Sequence, residues 1–294
     1  MPALDAISGD AVFTWHGVTP RLDPTVDAFA VTKETFRRQL DAIEKRFDIV
    51  PLTTIAKGRG TGCNGRRLLA ALTLDDALRC QAEHAIPLIR DRQLPFTICV
   101  PTDAMSAGLP LWSLLLRYCV STTAPKILNL GCMQVNLAVS AECRRVLIGP
   151  VLSLVGNLSG SERQPVLDQI FSQCRDVLPA ALQHEAFQPM NWDELDQVRG
   201  PGCDIASHSC AHGSLLREDE ISLMRETRIS KRIIEARTGI PCSVFCFPYG
   251  DYDAESLAAA RDAGYRWLLT TCGTTVDAFG GDIVPRIDAC TLVG

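Results

Sequence analysis

Two apolar runs in this chain end in residues that can bind a metal or move a proton. The first, Ala71-Leu72-Thr73-Leu74, stops at the adjacent carboxylates Asp75 and Asp76. Successive side chains at a strand end diverge, so one carboxylate can ligate a cation while its neighbour stays free as a base. Alone, the pair reads as a helix cap or a solvated turn. The second run, Asp204-Ile205-Ala206-Ser207, leads into His208-Ser209-Cys210-Ala211-His212. A spacing of four sets both imidazoles on one side of a helical turn or helix-like loop, and neutral imidazole is the commonest protein ligand for zinc and related metals. The chain has only five histidines, yet an isolated pair at this spacing arises often by chance. With a carboxylate from the other run, the set suits a hydrolytic zinc site and also the facial triad of non-haem iron oxygenases. A third run, Val244-Phe245-Cys246-Phe247, ends in Pro248-Tyr249-Gly250. Such a turn exposes backbone N–H groups that can donate to a developing oxyanion; by itself it is an ordinary strand-to-loop turn.

Residues so far apart in the chain must be positioned by regular elements. Strand-like runs fall at Ala11–Trp15, Leu69–Leu74, Phe96–Val100, Asp204–Ala206, Val244–Phe247, Trp267–Thr270 and Ile283–Val284. Helical patterns lie between them. In Thr32–Phe47, Thr32 can cap the first turn while Phe36, Leu40, Ile43 and Phe47 share a face. Another spans about 218–237 and stops at Gly239, and a third, Ala254–Ala263, stops at Gly264. Alternating strands and helices predict a parallel α/β sheet, open or closed into a barrel. In a closed barrel the catalytic groups occupy the C-terminal strand ends, where both carboxylates and histidines would fall. From about 105 to 190 the rhythm breaks into mainly helical and loop-like sequence, which reads as an insertion within a single domain of 1–294.

Composition narrows the function classes. A length of 294 residues suits one α/β barrel, and 47% hydrophobic residues supply a sizeable core. A net charge of −5 argues against a nucleic-acid partner. The apolar stretch Val146–Leu158 is broken by Gly149, Pro150 and Gly156 and is shorter than the ~20 residues of a membrane helix, so a spanning segment is not expected, while peripheral membrane association stays open. The 13 cysteines form no Cys-x-x-Cys pair, which leaves a zinc ribbon unsupported. Unpaired thiols and a start, MPALDAISGD, without secretory character predict a cytoplasmic location.

Taken in order, the three pieces resemble the NodB-type polysaccharide deacetylases (carbohydrate esterase family 4). Leu72-Thr73-Leu74-Asp75-Asp76 is similar to their Thr-Phe-Asp-Asp-Gly motif, His208-Ser209-Cys210-Ala211-His212 to their His-Ser/Thr-x-x-His motif, and Phe247-Pro248-Tyr249-Gly250 to their Pro-Tyr motif. Further matches are Pro95–Val100, Ala263-Gly264-Tyr265 with Thr270-Thr271, and Pro285-Arg286-Ile287. The resemblance covers roughly 10–104 and 190–288. It implies a distorted (β/α) barrel with one divalent metal ion, zinc foremost with cobalt or nickel as alternatives. Asp76, His208 and His212 would ligate that metal, Asp75 would be the general base, and the Tyr249 backbone N–H would hold the oxyanion. The reaction implied is removal of an N-acyl group from an amino sugar in a glycan, or in a lipid-linked or nucleotide-linked precursor.

Amide hydrolysis also needs an acid for the leaving amine. The family's C-terminal histidine has no counterpart, because no histidine follows His212. His16, in Thr14-Trp15-His16-Gly17-Val18, resembles the Tyr-His-x-Val element of circularly permuted relatives and takes the acid's place. Other departures are Ala77 for the family's Gly and Cys246 for the Arg that orients the base. Arg286 is the expected replacement for that Arg. These departures keep two other readings in view: a degenerate member that binds glycan without cleaving it, and a hydrolase of another C–N bond.

Overall fold

The computed structural model describes residues 4–23, 27, 29–57, 67–124, 127–131, 133–271 and 281–292. Its centre is a nine-stranded sheet. The strands are β1 (Ala11–Trp15), β2 (Phe47–Ile49), β3 (Leu68–Leu74), β4 (Phe96–Val100), β5 (Cys203–Ser207), β6 (Val244–Cys246), β7 (Trp267–Thr270), β8 (Ile283–Pro285) and β9 (Ile287–Asp288). All pairings within it are parallel. β8 and β9 are one strand interrupted at Arg286. Its first part pairs with β7 and its second with β1, so the sheet curls into a nearly closed eight-strand barrel. β2 pairs with the start of β3 and β4 with its end.

The period of two in each strand sorts side chains between two environments. Val12, Ala71, Cys99, Ala206, Val244, Cys246, Leu269 and Val284 share one buried cluster. Their alternates Phe13, Leu72, Ile98, Ile205, Phe245 and Leu268 belong to the larger core under the helices. The first set is dominated by small side chains, as the interior of a tight barrel requires. Toward the C-terminal ends that interior turns polar, with Thr14, Thr73, Asp75 and Arg286 all buried.

Helix Lys33–Arg46 begins where the sequence places it, with Thr32 Oγ1 accepting from Thr35 N. Its Phe36, Leu40 and Ile43 are fully buried. Each such side chain contributes roughly 1.5–3 kcal/mol, so this face anchors the helix against β1. Phe47, expected at the end of that apolar stripe, instead opens β2, where pairing with Leu68 competes with one more helical residue. The pattern from 218 to 237 is Glu220–Met224 and Ser230–Thr238 joined by a π-helical turn, Arg225–Ile229. Gly239, at φ 71°, closes it as a left-handed cap.

Between β4 and β5 the chain is mainly helical. It also forms an antiparallel pair, Ile127–Leu130 with Met133–Asn136, which short runs inside a leucine-rich segment do not announce. Helices Trp112–Thr122, Ala141–Gly156 and Gly160–Gln173 supply most of a separate small core around Leu116, Val120, Val155 and Ile170. Leu111 and Leu114 pack instead with Leu78 and Phe187, seating the segment on the loop after β3. Among the described residues no helix is long and apolar enough to cross a membrane.

Candidate active site

The alternation of β3 carries Asp75 onto the barrel interior after Ala71 and Thr73. Its carboxylate accepts two bonds from Arg286, Nη1 to Oδ1 at 2.7 Å and Nη2 to Oδ2 at 2.8 Å. Arg286 is 1% exposed and also donates to Thr14 Oγ1, Thr73 Oγ1 and the Thr270 carbonyl. Burial by itself would raise the Asp75 pKa; the charge and hydrogen bonds of Arg286 together with the nearby His208 and His16 outweigh it and hold the carboxyl well below the usual range. Cys246 Sγ, at the position where the family motif has Arg, lies 3.9 Å from both Asp75 oxygens. The guanidinium that grips Asp75 therefore comes from the opposite side, from the break between β8 and β9.

Asp76 leaves the strand. Its φ of 72° and that of Ala77, 48°, place two consecutive residues in the left-handed region, which turns the second carboxylate away from the first. Asp76 Oδ1 then lies 3.1 Å from His212 Nε2 and 3.6 Å from His208 Nε2. The family's glycine position therefore does demand positive φ here, and Ala77 meets it with a Cβ. Ala77→Gly would remove a conformational cost of roughly 1–2 kcal/mol. It would forfeit a buried methyl worth about 0.8 kcal/mol and about 0.4–1 kcal/mol of unfolded-state entropy. The terms nearly cancel, so the melting temperature of Ala77→Gly is expected to stay within roughly 3 °C of wild type. A larger rise in a thermal scan would mean that strain dominates.

His208 and His212 are brought together by a loop rather than by a helical turn. Ser209 and His212 have φ of 65° and 54°. Cys210 N and Ala211 N both donate to Glu226 Oε2 at 2.8 Å, and His212 N donates to Ser209 Oγ. The two imidazole centroids end 4.7 Å apart. His208 Nδ1 lies 2.8 Å from the Cys246 carbonyl oxygen, which assigns the proton to Nδ1 and leaves the Nε2 lone pair facing Asp76. Burial pulls the His212 imidazole toward its neutral form. At His208 burial acts in the same direction, but the Cys246 thiol group, then Asp75 and Asp76, push it up to about 10. That negative field favours a cation.

The donor set fits a divalent metal ion. One ligand atom each from Asp76, His208 and His212 lies within 4.8 Å of the others, all three residues being buried. Asp76 Oδ1 has no hydrogen-bond partner despite its burial. An acceptor-only oxygen facing two imidazole nitrogens, with nothing donating to it, is the arrangement that a bound cation completes.

His16 directly follows β1, with Nε2 3.8 Å from Asp75 Oδ2 and a side chain 27% exposed. Ligand-type atoms of Asp288 and Cys290 lie within 4.8 Å of its ring. Tyr249, in the turn after β6, has φ 61° and is followed by Gly250 at φ 76°. A Cβ on Gly250 would meet Thr271 Oγ1 at 2.0 Å, so only glycine allows this turn to pack on the loop after β7. The ring of Tyr249 stands 5.2 Å from that of His212. A cavity of about 300 Å³ joins Asp75, Asp76, His208, His212, His16, Tyr249 and Arg286. A larger cleft, about 500 Å³, lies behind the histidine loop against Arg163 and Glu218 and contains none of these residues. All seven sequence-derived site residues thus share one cavity.

Other contributors carry no motif. Gln81 Nε2 donates to the carbonyls of His16 and Asp75, tying the β1 and β3 ends together. Asp288 lines the cavity from β9, and Ser113, Leu114, Arg117 and Leu152 line it from the helical segment. Nothing local in the sequence marks them. His84 and His184 lie elsewhere, His84 beside Glu83 and Glu185 and His184 beside Asp27.

The family model described as polysaccharide deacetylase matches residues 175–268, which include both histidines and the Pro-Tyr turn. A sequence search among curated proteins gives no match. Among solved structures, the deacetylase PplD of Streptococcus pyogenes, in complex with acetate, is similar with a TM-score of 0.61 at 13% identity. The match covers 95% of this chain and 91% of that one. IcaB from Ammonifex degensii gives 0.57 at 15%, over 97% and 92%. The de-N-acetylase from Aggregatibacter actinomycetemcomitans gives 0.55 at 11%, over 97% and 96%. At such identities these likenesses speak for the barrel fold alone.

Proposed function

We propose, from the match of residues 175–268 to the polysaccharide deacetylase family model and from the shared barrel fold, that this chain is a NodB-type metal-dependent hydrolase removing an N-acyl group, acetyl foremost, from an amino-sugar-containing glycan or glycan precursor. One observation carries the reading: a buried Asp76–His208–His212 group, with an unpartnered carboxylate oxygen, stands directly beside an Asp75 locked by Arg286.

A divalent ion held by Asp76, His208 and His212 would supply Lewis acidity, polarising the amide carbonyl and lowering the pKa of water. Asp75 takes the proton from the attacking water. Its oxygens are fixed by two bonds from Arg286, so the base cannot swing to ligate the ion. The Tyr249 backbone N–H donates to the oxyanion that forms as water adds to the carbonyl. His16, partly exposed at the cavity wall, passes a proton to the leaving amine, and Asp288 beside it stabilises the protonated imidazole. Water is consumed; the amine and the carboxylic acid leave.

The test is metal content by mass spectrometry on wild type and His208→Ala, with acetate release from N-acetylglucosamine oligomers assayed on the same samples. Near-stoichiometric zinc, cobalt or nickel in wild type alone, with acetate released by wild type alone, is the expected result. Metal without acetate would direct the assay to lipid-linked and nucleotide-linked sugars, and silence there would favour a glycan-binding role. No metal in wild type after reconstitution would overturn the site.

A further inference from the structure

Arg117 is the one charged side chain that helix Trp112–Thr122 brings to the wall of the catalytic cavity. Among the described residues, no carboxylate lies within 4.0 Å of its guanidinium, in contrast to Arg286, whose charge is spent on Asp75. Arg117 Nε is buried and has no hydrogen-bond partner. Asp27 and Tyr249 act on it only through space, and burial outweighs them, drawing its pKa down. The Phe29 ring centroid lies 6.0 Å from Arg117 Cζ. The cavity's own acids face elsewhere: Asp75 is bonded to Arg286, Asp76 faces the two histidines, and Asp288 accepts from the Cys290 backbone N–H on the His16 side. A half-buried guanidinium with an unused N–H is costly unless something in the cavity accepts from it.

We propose that Arg117 receives an oxyanion group, phosphate or carboxylate, borne by the sugar that enters this cavity, so that the substrate is an anionic amino sugar. The proposal rests on the deacylase reading for its chemistry, but the binding half stands by itself. The planar fork of a guanidinium matches both oxyanions through paired bonds. A cavity of about 300 Å³ accommodates one sugar unit and a small charged substituent, with the cation on the side of the helical segment and the hydrolytic groups at the strand ends.

Two measurements test it. Calorimetry compares glucose 1-phosphate with glucose, neither of which carries an acyl group. Initial rates compare N-acetylglucosamine 1-phosphate, N-acetylmuramic acid and neutral diacetylchitobiose. Wild type, Arg117→Ala and Arg117→Lys are used in both, with thermal scans beside Asp27→Asn. Wild type is expected to bind glucose 1-phosphate more tightly than glucose, and Arg117→Ala to weaken only the former, about 10- to 100-fold. KM for the anionic substrates rises in parallel while that for chitobiose holds, and Arg117→Lys falls between. Whichever anionic sugar leads in wild type distinguishes phosphate from carboxylate. Equal affinity for both sugars in wild type would overturn the proposal. So would Arg117→Ala weakening both alike, or changing only the melting temperature as Asp27→Asn does. Arg117-dependent binding without any deacylation would remove the hydrolase reading alone; deacylation indifferent to Arg117 would remove this proposal alone.

Discussion

Asp75→Asn is expected to lower kcat by about 10²- to 10⁴-fold, the range for loss of a positioned general base, while the protein keeps its metal. The separation of roles makes this a sharp expectation. The proposed ligand group is Asp76, His208 and His212, and Asp75 Oδ2 lies 4.0 Å from His208 Nε2. An amide at position 75 can still accept one bond from Arg286 but cannot take a proton from water. Metal content measured alongside single-turnover rates separates this outcome from a general collapse of the site; loss of metal in Asp75→Asn would mean that Asp75 itself ligates.

The ionisation of Asp75 also sets a sign. Its folded-state pKa is depressed, so its charged form, and the stability it brings, is complete above the ordinary carboxylate range. That contribution declines as pH falls below the ordinary carboxylate range and is gone once pH has passed through the depressed value. An acid limb in the rate profile between pH 5 and 7 would therefore belong to groups other than Asp75. A carboxylate held so acidic is a weak base, which places the burden of acidifying the attacking water on the rest of the site.

The second large effect is on stability. Arg286→Ala is expected to cost about 3–5 kcal/mol, the penalty for stranding a buried charge. This corresponds to a fall in melting temperature of roughly 10 °C. Arg286 is 1% exposed and its guanidinium is the only described partner that ion-pairs with Asp75 through two bonds. A loss of turnover in Arg286→Ala would therefore be confounded by loss of fold. The pair is better tested as a cycle with Asp75→Asn. The double variant is expected to be more stable than the sum of the single losses predicts, because no lone charge remains inside the barrel. Strict additivity in thermal or urea unfolding would show that the two residues are uncoupled.

Much of the site was legible in the sequence because its pieces are local. Asp75-Asp76, His208 with His212, and Pro248-Tyr249-Gly250 each follow an apolar run, and such runs become strands in any parallel α/β arrangement. The barrel strands Ala11–Trp15, Phe96–Val100 and Trp267–Thr270 have the bounds their apolar content suggests. The Thr32 cap and the Gly239 stop were equally readable, since capping chemistry acts within one turn.

What tertiary structure alone decided is long-range. Arg286 and Asp75 are 211 residues apart in the chain, and only closure of the barrel through the broken β8–β9 strand makes them neighbours. The loop carrying His212 has two left-handed residues, Ser209 and His212, on either side of Cys210 and Ala211, whose N–H groups donate to Glu226, a carboxylate whose sequence context gives no sign of that task. Arg117 sits in a leucine-rich helix of the insertion, where no motif marks it, and it reaches the cavity because that helix lies over the strand ends. Periodicity and motifs report which face of an element is apolar and which residues can do chemistry. Which distant charge meets which is set by how the sheet closes and what packs across its mouth, and no local pattern in the chain encodes that.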